Sequence, residues 1–84
     1  MPTYRLELTE TETACGVTYE DVQRVLPLGA FFGEFFCLPR DTSPALGSAV
    51  ARAAFAGPVE FSHITKATGY PAYRAADNLQ GDLK

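Results

Sequence analysis

Apolar and polar residues alternate near the start of the chain. Tyr4, Leu6 and Leu8 fall on one side, Arg5, Glu7 and Thr9 on the other. A period of two predicts a strand with one buried face. The polar run 9–13 predicts a loop or a frayed strand end. Thr18 followed by Asp21 is a capping-box pattern with Asp in place of Glu or Gln. Val22, Val25 and Leu26 share one helical face, which predicts a short helix over 19–26 that Pro27 ends. Residues 29–38 read GAFFGEFFCL. Aromatic residues favour strands, so a strand is expected over 30–37, bulged at Gly33.

Residues 39–44 form a linker of turn residues. Ser43 and Pro44 then open a helix, as N-cap and first-turn residue. Leu46, Val50, Ala53 and Ala54 keep helical spacing until Gly57-Pro58 stops it. A short helix over 62–68 is expected to end at Gly69. A third helix over 72–83 would carry Ala75, Leu79 and Leu83 along one face. These elements predict an α+β fold: a small N-terminal β-sheet packed on a C-terminal three-helix unit. Residues 1–84 read as one domain, with a strand and short-helix half over 1–42 and a helical half over 43–84.

Composition supports a globular chain rather than a disordered one, with 46% hydrophobic and 20% charged residues. No charged-then-apolar leader follows Met1, so no signal peptide is expected. The most apolar stretch, 25–38, is shorter than the ~20 residues of a spanning helix and contains Pro27, Gly33 and Glu34, so no membrane partner is expected. Cys15 and Cys37 read as two free thiols, which fits a cytoplasmic protein. With His63 they lack the paired spacing of a metal site, so neither metal nor cofactor is expected. The net charge is −3. The acid excess sits in the first half, where Glu7, Glu10, Glu12, Glu20, Asp21, Glu34 and Asp41 outnumber Arg5, Arg24 and Arg40.

Residues 45–84 read ALGSAVARAAFAG, then PVEFSHITKATGY, then PAYRAADNLQGDLK. This order resembles a helix-turn-helix unit of the winged-helix type. Ile64 and Thr65 fall where that family places an apolar residue and a small one; Tyr70 follows the turn glycine; Ala75 and Leu79 would anchor the third helix. The resemblance implies a third helix that enters the DNA major groove, with Lys66, Arg74, Gln80 and Lys84 on the nucleic acid. The outward positions of that helix hold Arg74 as their one cation, beside Asp77. A polyanion needs more than that.

No catalytic constellation stands out, and the chain is expected not to be an enzyme. Ser62-His63 and Asp77 supply triad residue types without nucleophile-elbow glycines. Neither GxxxxGK[ST] nor a strand-borne GxGxxG is present. Glu34 reads as a solvated acid. In one continuous strand, Phe31 and Phe35 point to one face and Phe32 and Phe36 to the other. One of these pairs then needs a helix or a partner to cover it. The leading expectation is a protein-binding module of inhibitor or adaptor type. Its size and acidity resemble small phage-encoded inhibitors such as anti-CRISPR proteins. Tyr73, Arg74, Asp77, Gln80, Phe32 and Phe36 would meet the partner protein, since Tyr and Arg favour hot spots. A DNA-binding regulator is the alternative, and a homodimer fits either reading.

Overall fold

The computed structural model describes residues 6–76. Three helices, α1 (Glu10–Ala14), α2 (Tyr19–Val25) and α3 (Pro44–Phe55), accompany four strands. The strands are β1 (Ala30–Phe32), β2 (Phe35–Cys37), β3 (Val59–Ile64) and β4 (Pro71–Ala75). The fold is α+β, with one antiparallel sheet in the order β1-β2-β4-β3. Two hairpins, β1–β2 and β3–β4, meet along β2 and β4, and α3 connects them.

The expected order is corrected: two short helices come first, and half of the sheet lies in the C-terminal half. Residues 6–9 form no strand. Leu6 and Leu8 are half-buried against the core instead. Residues 59–64 and 71–75 are strands where the second and third helices of a helix-turn-helix unit were expected. The first helix of that unit is present as α3. The later part of the expected third helix, with Asp77, Gln80 and Lys84, lies outside the described residues.

Local chemistry explains the helices. Thr9 caps α1: the Glu12 amide donates to Thr9 Oγ1 at 3.1 Å, and the Thr9 amide donates to Glu12 Oε1 at 2.9 Å. Thr18 and Asp21 form the same reciprocal box on α2. Arg24 lies 2.9 Å from Asp21 and holds that carboxyl below its usual range, with Thr18 helping. Ser43 accepts from the Leu46 amide at the start of α3, with Pro44 at the first position. The helix ends at Ala56 in the left-handed region, φ 58°.

The core lies between the sheet and α3. Leu38, Val50, Ala49 and Ala51 are fully buried, with Val17, Val22 and Val25 closing it from the N-terminal side. An ion pair ties that N-terminal segment down. Arg52 on α3 donates to Glu12 Oε2 at 2.7 Å and to Oε1 at 2.8 Å, and a third bond reaches the Glu7 carbonyl at 3.0 Å. Glu12 is buried, and the Arg52 guanidinium holds its carboxyl below the usual carboxylate range.

Truncating Glu12 removes the buried carboxylate that pairs with the partly buried Arg52 guanidinium. Glu12→Ala is expected to lower the unfolding free energy by about 3 kcal/mol in urea at pH 7. A carboxyl with a depressed folded value stabilises above its unfolded pKa of about 4.3 and loses that contribution as pH falls through the folded one. The gap between wild type and Glu12→Ala should therefore close in acid; a constant gap from pH 7 to pH 2 would rule out the charge pair as its source.

Candidate functional site

Gly33 and Glu34 make the two-residue turn of the β1–β2 hairpin, and Gly33 takes a φ of 63° that suits glycine. The turn resets the alternation of the aromatic run. Phe31 pairs with Phe36, and Phe32 with Phe35. Pairs across a sheet share a face. Phe31 and Phe36 therefore belong to the inner, helix-bearing face, and Phe32 and Phe35 to the outer one.

The inner row continues through Tyr73 and Phe61. Phe36 packs against Phe31 at 4.7 Å between ring centroids, and both rings meet Phe55 of α3 edge-on. Phe61 stacks edge-on against Tyr73 at 5.5 Å. Phe36 and Tyr73 are 3% and 4% exposed. Both were expected on a partner surface, Phe36 from one continuous strand and Tyr73 from a helix, and both are corrected to the core: the turn at Gly33-Glu34 and the pairing of β2 with β4 direct them under α3. Burial also pushes the Tyr73 hydroxyl pKa up.

The outer row runs Phe32, Phe35, Arg74, Glu60. Arg74 Nε donates to Glu60 Oε2 at 2.6 Å, so its charge is matched on the sheet itself. β3 carries a bulge between Phe61 and His63. Without it those two residues would share a face; with it Phe61 stays inside and His63 turns to the outer face opposite Ala72. His63 then meets Phe35 edge-on at 5.3 Å, with Ser62 Oγ 2.9 Å from its Nδ1. Phe32, Phe35, His63 and Tyr70 ring a shallow depression of about 240 Å³, with Cys37 and Ala72 beneath them. Burial pushes the Cys37 thiol pKa up, which keeps it protonated. The helices gather on the other side of the sheet, α3 against β3 and β4, and α1 and α2 against α3.

Of the expected partner residues, Phe32 stands on this outer face at 62% exposure, with Arg74 half-buried nearby. Lys66 lies in the exposed β3–β4 loop. Sequence reasoning missed His63 and Tyr70 as members of the surface. The cue available was the aromatic content of the two hairpins. Among the described residues, no His, Cys, Asp and Glu cluster could hold a metal ion, and no helix is long and apolar enough to cross a membrane. No family model, curated protein or solved structure matches the chain.

Tyr73 reaches α3 at a glycine. A Cβ at Gly47 would lie 2.5 Å from Tyr73 Oη and 3.1 Å from Cζ. Gly47→Ala is therefore expected to destabilise by about 1–3 kcal/mol through overpacking, against a gain of about 1 kcal/mol in helix propensity. In the Tyr73→Phe background the closest clash disappears, and most of the loss should be recovered. Equal costs in the two backgrounds, measured by thermal unfolding, would show that the hydroxyl does not set the fit.

Proposed function

We propose that the chain is a non-enzymatic protein-binding module of inhibitor or adaptor type, and that its partner docks on the outer face of the sheet. The observation that carries this reading is the exposure of Phe32 and Tyr70, at 62% and 41%, on a face that no helix covers among the described residues. Contiguous exposed apolar surface of this kind marks interaction sites. Aromatic side chains also supply contact area with few rotatable bonds, so they lose little entropy on docking. The Glu60–Arg74 pair borders the patch and offers polar contacts at its rim. A protein fits this surface better than a nucleic acid does. Arg74 is already neutralised by Glu60, the chain carries a net charge of −3, and phosphate binding draws on uncommitted cations.

A photoreactive benzoylphenylalanine at position 32 should crosslink one discrete protein in the native cells, while the same group at Tyr19, on α2, should not. Phe32→Asp should abolish that adduct when the probe is moved to position 70. Its unfolding midpoint should stay close to wild type, because the side chain is mostly exposed. Adducts to nucleic acid, or the same adducts from position 19, would sink the proposal.

A further inference from the structure

A second concavity opens on the inner side of the sheet, between the N-terminal half of α3 and the β3 edge. Its volume is about 470 Å³, within the range of small-molecule sites, about 300–1,000 Å³. Phe61, Ile64 and Pro71 line it with apolar surface. Phe61 and Ile64 are 53% and 55% exposed, so the walls face solvent.

Polar groups converge on this apolar cavity from two ends. Tyr73 is 4% exposed, yet its hydroxyl has no hydrogen-bond partner among the described residues. None of those residues has a side-chain oxygen or nitrogen that is both sealed and unpartnered. The Tyr73 hydroxyl therefore keeps its open side toward the cavity it lines, with Ser48 beside Gly47 on α3. At the other end stands Arg40, the only charged residue among the described residues that line the cavity. Arg40 forms no ion pair among the described residues. Its aliphatic chain passes Gly69, just before Pro71. Tyr73 stands two steps beyond Pro71 along β4, roughly 7 Å of strand.

We propose that this cavity binds a small organic acid: the carboxylate pairs with Arg40, an apolar body lies between Phe61 and Ile64, and a polar group at the far end meets the Tyr73 hydroxyl. A cation outside any ion pair among the described residues favours an anion, and an unpartnered hydroxyl that opens on an apolar cavity can bond a ligand seated there. This site lies on the opposite side of the sheet from the proposed protein-docking face, so each can fail without the other.

The test is a two-dimensional NMR titration of the full chain with 3-(4-hydroxyphenyl)propionate, its carboxamide and 3-phenylpropionate. Saturable shifts are expected in 40–48, 59–64 and 71–73, with the acid binding about tenfold tighter than the amide. Arg40→Gln should erase that tenfold preference. Tyr73→Phe, which loses no internal hydrogen bond, should fold normally and weaken the hydroxylated acid alone, by about threefold. The absence of saturable shifts at millimolar acid would overturn the proposal. So would equal binding of acid and amide, or shifts centred on Phe32 and Tyr70. Sedimentation velocity on the same sample completes the test: a dimer unaffected by the acid would assign the cavity to a second copy and overturn the small-acid reading.

Discussion

The close approach of α3 to the sheet is the constraint from which the rest of the molecule follows. A glycine permits it: Gly47 lets the Tyr73 ring reach the helix backbone. Gly29, just before β1, likewise leaves room for the Phe36 ring, whose Cζ would lie 2.3 Å from an added Cβ. Around these two rings α3 presents alanines, with Ala49 and Ala51 fully buried. A core of small residues on one side and two large rings on the other interdigitates at short range, which suits a domain with little interior to fill. The same packing leaves Phe61 without a helix above it. The inner face is thus covered along its middle and open along both edges, at Phe31 on β1 and Phe61 on β3.

The N-terminal segment is held by different physics. A helix of five residues such as α1 has no stability of its own in water. It persists because its cap, its buried acid and the Arg52 fork are one connected network. Thr9 and Arg52 both bond Glu12, so the residue that closes the capping box also anchors the segment to α3. An apolar residue at position 12 could not do both.

Legibility in the sequence followed the locality of the signal. The Thr18–Asp21 box, the Ser43-Pro44 start and the Gly57-Pro58 stop lie within a few residues of one another, and α2 and α3 appear where they predict. The Thr9–Glu12 box was equally local, but its charged run reads as a loop until a distant arginine gives Glu12 a reason to be buried. The Phe-Gly-Glu-Phe turn hides in a segment that also reads as one bulged strand; counting its two turn residues reverses which phenylalanines share a face. The second hairpin was misread for a related reason. Its bulge breaks the period of two across Phe61, Ser62 and His63, and the broken pattern over 62–68 passes for a short helix. Composition pointed to an aromatic surface at Phe32 but could not pair it with His63 and Tyr70, since only strand order brings those residues together.

The bulge at Ser62 also makes β3 sensitive to length rather than to composition. Phe61 and His63 stand two apart in sequence yet pair with the consecutive residues Tyr73 and Ala72, so Ser62 is the extra residue of the strand. Deleting it would leave both neighbours on their present faces, whereas regular pairing at full length would carry His63 to the face of Phe61. The two surfaces of the sheet are thus held together by a residue count and not by the side chains that line them.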